Sequence, residues 1–256
     1  MRPFQYVSYL FIAIVLTWGI AHRQADASWW WLIAAAVVYI HLLVFGAIRI
    51  RWNFFIRSLH HNPAAGKQIA LTFDDGPASK TNDILDVLQK ENVQAGFFSI
   101  GKNARLHPET VTRWHNEGHL IGNHSYHHGF NFDWQSAAVM AKELEDTNAV
   151  ILEVTGKKPL LFRPPYGVTN PNLAKAVRRT GMISIGWNIR SFDTTAKDPE
   201  QLLHRILSRI KGGDVILLHD SMEITCQILT PLIHAAREKG FTFVRPDKLL
   251  GVNAYA

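Results

Sequence analysis

Gln68-Ile69-Ala70-Leu71-Thr72-Phe73-Asp74-Asp75-Gly76-Pro77 is the stretch from which the rest of the chain can be read. The run 68–73 is largely apolar and too short for a free-standing helix, so it reads as a strand. It ends on two adjacent carboxylates and a Gly-Pro turn. At a strand end neighbouring side chains diverge. Asp74 and Asp75 are therefore free to do different jobs, one ligating a metal and the other acting as a base toward water. Asp-Gly-Pro is also ordinary turn chemistry, so the pair means little by itself.

Outward from this stretch, short apolar runs alternate with helical patterns. Strands are expected at Ala95–Ile100, His119–Gly122, Leu160–Phe162, Met182–Trp187, Asp214–Leu218 and Phe241–Val244. Helices are expected at Lys80–Glu91, from about Pro108, and at Trp134–Thr155, Pro171–Thr180, Glu200–Ile210 and Cys226–Lys239. Gly156 and Gly181 serve as stop signals. Strands alternating with helices argue a parallel sheet with crossover helices. The polar clusters fall just after the strands, the end at which such sheets and barrels bind ligands.

Four further clusters carry chemistry. In His124-Ser125-Tyr126-His127-His128, the outer histidines are four apart. On a helical turn that spacing puts His124 and His128 on one face, suited to a divalent metal, with His127 pointing off it. Two imidazoles and a carboxylate leave a fourth position for water. In Phe162-Arg163-Pro164-Pro165-Tyr166-Gly167, Arg163 is placed to orient Asp74, and the stiff turn can aim a backbone N–H at a developing oxyanion. Trp187-Asn188-Ile189-Arg190-Ser191-Phe192-Asp193-Thr194 and Ile216-Leu217-Leu218-His219-Asp220 follow. His219 at a strand end is suited to protonate a leaving amine, with Asp193 as its partner. Each cluster alone has a bland reading: a turn, a His-rich loop, a surface arginine, a structural histidine.

The first sixty residues differ from the rest. Phe4–Ile20 and Trp29–Ile48 are apolar with few interruptions and read as two transmembrane helices forming a hairpin. Five of the eight tryptophans lie here, near segment ends. The first segment also fits a signal peptide, with Ala25-Asp26-Ala27 as the small-residue site. His41 is expected to face the partner helix. Residues 1–60 are thus expected to be a membrane anchor and 61–256 the domain that carries the polar clusters. Arg2, Arg23, Arg49, Arg51 and Arg57 against Asp26 account for four of the six net positive charges. The large domain therefore lacks a basic face for nucleic acid. Arginines flank the outer ends of the hairpin, which favours a cytoplasmic domain. The lone Cys226 excludes an internal disulfide and reads as a core residue.

In this order, Thr-Phe-Asp-Asp-Gly-Pro, His-Ser-x-x-His, Arg-Pro-Pro-Tyr-Gly and Leu-x-His-Asp resemble the polysaccharide deacetylase family (the NodB homology domain, carbohydrate esterase family 4) over roughly residues 66–250. The resemblance implies an α/β fold, a distorted (β/α)7-type barrel, here preceded by two transmembrane helices. It implies metal-dependent removal of N-acetyl groups from N-acetylated amino sugars of a polysaccharide or cell-wall glycan. It casts Asp74 as general base, Asp75, His124 and His128 as the metal triad, and Arg163 as the residue that orients the base. By the same resemblance, Tyr166 matches the residue that supplies an oxyanion N–H, His219 the general acid, Asp193 the carboxylate that tunes it, and Leu217 part of the acetyl-methyl pocket. The ion is Zn2+ first, with Co2+, Ni2+ or Mn2+ also fitting the ligand set.

One departure is that Thr194, rather than tryptophan, follows Asp193; Trp187 is a candidate replacement in the sugar site. The implied partners are an N-acetylated carbohydrate and the lipid bilayer, with no nucleic acid and no obligate protein partner. The implied location is the inner membrane of a bacterium, with the family's usual extracytoplasmic site opposing the charge bias. Two alternatives stand beside this: a deacetylase or deformylase of a lipid-linked sugar or other small amide at the cytoplasmic membrane face, and an inactive sugar-binding relative.

Overall fold

The computed structural model describes residues 2–256. Two antiparallel helices come first, α1 (Pro3–Ala25) and α2 (Trp29–Ile48), with Ser28 Oγ accepting the Trp30 N–H at the start of the second. Both are long and apolar enough to cross a membrane, by length and composition. They zip through Phe11 and Tyr39, whose rings stack 4.3 Å apart, and through Trp18 against Trp29. Most of their remaining apolar side chains are exposed. His41 does not face α1 as expected: it is exposed and its Nδ1–H donates to the Val37 carbonyl one turn back. That bond satisfies it within its own helix.

The remainder runs β1 (Ser58–Leu59), β2 (Gln68–Asp74), α3 (Thr81–Lys90), β3 (Gly96–Ser99), α4 (Gly101–Leu106), α5 (Pro108–Asn116), β4 (Leu120–Asn123), α6 (Ala137–Thr155), β5 (Leu161–Phe162), α7 (Pro171–Thr180), β6 (Ile183–Ile185), β7 (Ile189–Arg190), α8 (Pro199–Leu207), β8 (Val215–His219), α9 (Glu223–Glu238), β9 (Thr242–Phe243) and α10 (Pro246–Leu250). The capping residues explain the sharp helix starts. Asn170 accepts from Leu173 N ahead of Pro171, and Asp198 from Glu200 N and Gln201 N ahead of Pro199.

All strands pair in parallel, in the order β1-β6-β5-β4-β3-β2-β8-β7, with β9 beside the start of β2. Strands β2 to β8 follow chain order around a curled sheet. The circle closes at a seam, because β6 and β7 sit at opposite ends of the run yet are joined by only Gly186-Trp187-Asn188. This is the distorted seven-stranded barrel, with one correction to its parts. Met182–Trp187 is not one strand but ends at Ile185, and the seventh barrel strand is Ile189–Arg190, not Phe241–Val244. Two residues carry no periodicity, so this strand had no sequence signal; pairing with β8 alone defines it.

Alternation along β2 sorts the interior from the exterior. Ile69, Leu71 and Phe73 join the main core with side chains of α3, α5, α8 and α9. The alternate residue Ala70 packs against Val215 and Leu249, so the C-terminal α10 plugs one end of the barrel. Thr72 and Asp74 also belong to this inner set, and both meet Arg163. The other end, where the strands finish, is left for the polar clusters.

Candidate active site

Asp74, the last residue of β2, is buried. Arg163, one residue past β5, is wholly buried and donates from Nη1 to Asp74 Oδ1 at 2.7 Å and to Thr72 Oγ1 at 2.9 Å. Its Nη2 donates to the Gly186 carbonyl at 3.1 Å and its Nε to that of Ile185 at 3.4 Å. These carbonyls lie at the barrel seam, where β6 and β7 do not pair. One guanidinium therefore both closes the seam and aims Asp74, with its flat face 4.1 Å from the Phe98 ring.

Asp75 follows with a positive φ of 78°, which swings its side chain away from that of Asp74. Its Oδ1 lies 3.5 Å from Nε2 of both His124 and His128. One ligand atom from each of the three residues falls within 4.8 Å of the others. His124 Nδ1–H donates to the Arg163 carbonyl at 2.8 Å, which turns Nε2 toward Asp75 as a ligand. Burial raises the Asp75 carboxyl, but the facing imidazoles outweigh it and hold the group down at about 2. Burial, with His124 alongside, pushes His128 down to about 4. Burial opposes a charged His124, but Asp74 and Asp75 outweigh it and raise its value, so a divalent cation would take the place of the His124 proton. With an ionised Asp75 and a neutral His128 beside it, the donor set fits one.

The two histidines converge without the helical turn expected of their spacing. Ser125 and His128 both have positive φ, 64° and 52°. The loop is held by Asn123 Oδ1 accepting from Ser125 N, Ser125 Oγ accepting from His128 N, and Glu143 Oε2 accepting from Tyr126 N and His127 N. Local hydrogen bonds to side chains displaced the helix. His127 turns off toward Glu143.

His219 ends β8, and its Nδ1–H donates to Asp193 Oδ1 at 2.8 Å. Asp193 is buried and saturated: it also accepts from Ser191 Oγ, Thr194 N, Thr225 Oγ1 and His219 N. Burial opposes the protonated imidazole, yet Asp193, with Asp74 and Asp75 behind it, lifts His219 to about 9. Tyr166 sits at φ 57°, half exposed, its ring 4.7 Å from that of His128. Gly167 follows, where a Cβ would drive into Trp187. Trp187 itself is buried with Leu217 and Ile50.

Three residues were missed by the sequence reading. Ile50, just past α2, completes the apolar cluster with Trp187 and Leu217; a lone isoleucine after a span carries no local signal. Phe192, beside Asp193, is an exposed aromatic with the Arg190 guanidinium 5.0 Å from its ring; its place one residue before the carboxylate was the available clue. Asp220 was quoted in its motif but given no role. Its carboxyl is wholly buried beneath Gly76, accepts from Thr81 Oγ1 at 2.6 Å, and is pushed up to about 7 chiefly by burial. Cys226 is part-buried, with burial pushing its thiol up to about 11, so it reads as packing rather than chemistry.

The sequence and fold that carry this Asp-His-His cluster are similar to those of known proteins. Residues 61–185 match the polysaccharide deacetylase family. The peptidoglycan-N-acetylglucosamine deacetylase PgdA of Listeria monocytogenes is 33% identical over 186 residues, covering 72% of this chain and 39% of that protein. The peptidoglycan-N-acetylmuramic acid deacetylase PdaA of Bacillus subtilis is 30% identical over 226 residues, covering 78% and 86%. The crystal structure of the Bc1960 peptidoglycan N-acetylglucosamine deacetylase superposes with a TM-score of 0.73 at 29% identity, covering 78% of this chain and 94% of that one. The chain belongs to the polysaccharide deacetylase family. It spans about two fifths of the length of the Listeria relative.

Proposed function

We propose that the protein is a metal-dependent carbohydrate N-deacetylase that releases acetate from N-acetylated amino sugars of a cell-wall glycan, tethered to the inner membrane by α1 and α2. The observation that carries this reading is the convergence of two separately oriented pairs, Asp74 on Arg163 and His219 on Asp193, about the Asp75-His124-His128 cluster.

Asp75, His124 and His128 are the residues that would hold the ion. A divalent cation there, Zn2+ first, supplies Lewis acidity that makes water a nucleophile at neutral pH and polarises the acetamide carbonyl. The protein's own groups do the rest. Asp74, fixed by Arg163, takes the proton from the attacking water. The Tyr166 N–H, presented by a left-handed residue in a stiff turn, stabilises the developing oxyanion. His219 carries a proton at neutral pH and delivers it to the departing amine. Leu217, Trp187 and Ile50 form the apolar wall that takes the acetyl methyl. Trp187, being buried, serves that wall rather than a sugar groove, for which the exposed Phe192 is the aromatic at hand.

Acetate release from N-acetylglucosamine oligomers by the metal-loaded full chain tests the reading; no release above the Asp74→Asn background would overturn it. A second reading is favoured by one observation. The Thr169 N–H donates to the Ala47 carbonyl in the last turn of α2, so the loop carrying Tyr166 is bolted to the membrane end of the hairpin. A site held there suits an N-acylated sugar still attached to a lipid carrier. Comparing oligomers with polyprenyl-linked sugars separates the two. So does a C-terminal topology reporter, extracytoplasmic for the cell-wall reading and cytoplasmic for the lipid-linked one.

A further inference from the structure

Away from the strand ends, a cavity of about 530 Å3 opens between the start of α1, the segment 55–57 and α7. Its rim carries four exposed cations, Arg2, Arg57, Lys175 and Arg178. Its floor is apolar, built from Phe55, Ile56, Val177 and Met182, all buried. No carboxylate lines it, and none of the four cations forms an ion pair among the described residues. The sequence makes this a regional property. There is no Asp or Glu between Asp26 and Asp74, nor between Glu153 and Asp193, and the lining comes from residues 2–5, 55–57 and 171–184. Four like charges about one apolar hollow repel one another, and no ion pair among the described residues relieves them.

The location says what does. Arg2 immediately precedes α1, and Phe4 ties that helix to the domain, its N–H reaching the Phe54 carbonyl and its ring 5.3 Å from that of Phe55. From Tyr6 onward α1 presents exposed apolar side chains. The cavity thus lies where the chain passes from aqueous to apolar surroundings. A nucleic acid would need exposed stacking aromatics, whereas Phe4 and Phe55 are at least half buried. The catalytic cluster lies at the strand ends, while this cavity is bounded by Ile183 and Ser184 of β6 and by α7 outside the barrel.

We propose that the cavity bounded by Arg2, Arg57, Lys175 and Arg178 holds the phosphodiester headgroup of an anionic phospholipid of the surrounding bilayer. The guanidiniums fork onto the phosphate oxygens, and the apolar floor receives the glycerol and first acyl methylenes. The proposal rests on α1 and α2 being membrane spans and is independent of the deacetylase chemistry.

The test uses the full chain in nanodiscs of phosphatidylcholine alone or mixed with phosphatidylglycerol. The readouts are native mass spectrometry of retained lipid and the unfolding midpoint. The wild type is expected to retain phosphatidylglycerol and to unfold at higher temperature with it. The variant Arg57→Gln/Lys175→Gln/Arg178→Gln, changed only at exposed positions, is expected to retain it about a hundredfold less well, about fivefold per cation. Equal retention by variant and wild type would overturn the proposal. So would an equal midpoint shift from free inorganic phosphate, or selective retention of polyprenyl phosphate over phosphatidylglycerol. Alkaline extraction of membranes separates the two layers of the argument. Release of the protein removes the membrane reading and the headgroup with it, whereas retention without bound lipid removes the headgroup alone.

Discussion

The Nδ1–H of His219 donates to Oδ1 of Asp193 across 2.8 Å, and Asp193 has no lone pair left over, since four other donors occupy the carboxylate. The imidazole is thereby fixed with Nε2 as its remaining donor, held in its protonated form by a buried anion.

The pH dependence follows from that pair. Burial alone lowers an imidazole, and Asp193 reverses the sign to give about 9. Activity that needs the protonated His219 is expected to persist through neutral pH and to fall on an alkaline limb near 9. Asp193→Asn removes the anion but keeps the burial, so the limb moves down by more than one unit; an unmoved limb in the kcat profile would assign it elsewhere. The same raised value acts on stability. Its contribution is complete below the unfolded value of 6.5 and is lost as pH rises through about 9. Denaturant unfolding on either side of that window measures it, and Asp193→Asn should flatten the difference.

Arg163→Lys should fail as a conservative change. An ammonium cannot reach Asp74, Thr72, Ile185 and Gly186 at once, so the seam carbonyls lose their donor and the base loses its orientation. The expected loss is about 3 kcal/mol of stability, read by denaturant unfolding, and about a hundredfold in kcat. Wild-type kcat in this variant would show that Arg163 serves the barrel alone.

Chelation should separate binding from folding. Removing divalent ions is expected to abolish acetate release and to lower the unfolding midpoint, with a loss of unfolding free energy of about 2.7 kcal/mol where the ion had been present at a hundred times its Kd. Asp75→Ala and His124→Ala should show no midpoint shift on adding Zn2+. A full zinc-induced shift in either variant would move the metal elsewhere.

Ile50 tests whether the membrane hairpin reaches the acyl pocket. It packs with Leu217 and Trp187, so under the proposed function Ile50→Ala would widen the pocket that takes the acetyl methyl. N-propionyl sugars should gain about tenfold over N-acetyl ones in kcat/KM, at a stability cost of about 2 kcal/mol or more. An unchanged acyl preference would leave Ile50 as packing only.

Much of the candidate site's make-up was legible in the sequence because ligand and acid–base chemistry favours particular residue types at strand ends. Asp74, Asp75, His124, His128, Arg163, Asp193 and His219 were all readable from their motifs, and the folded chain brings every one of them to a single end of the barrel. The two N-terminal helices were legible too, since length and hydropathy are local properties. The geometry that unites the motifs was not. Asp75, Ser125, His128 and Tyr166 all adopt positive φ, which non-glycine residues accept only when the surroundings impose it. The His124–His128 turn is set by Ser125 and Glu143 rather than by helical spacing.

The sequence by itself determined the family to which this chain belongs, which residues are candidates for its chemistry, and that its first segments are apolar, because residue type and periodicity are written along the chain. Only the tertiary structure decided that Ile189–Arg190 closes the barrel, that Arg163 spans the seam to reach Asp74, and that Ile50 packs with Trp187 and Leu217. Each of these depends on contacts between residues far apart in the chain, and such contacts leave no mark on the short windows from which a sequence is read.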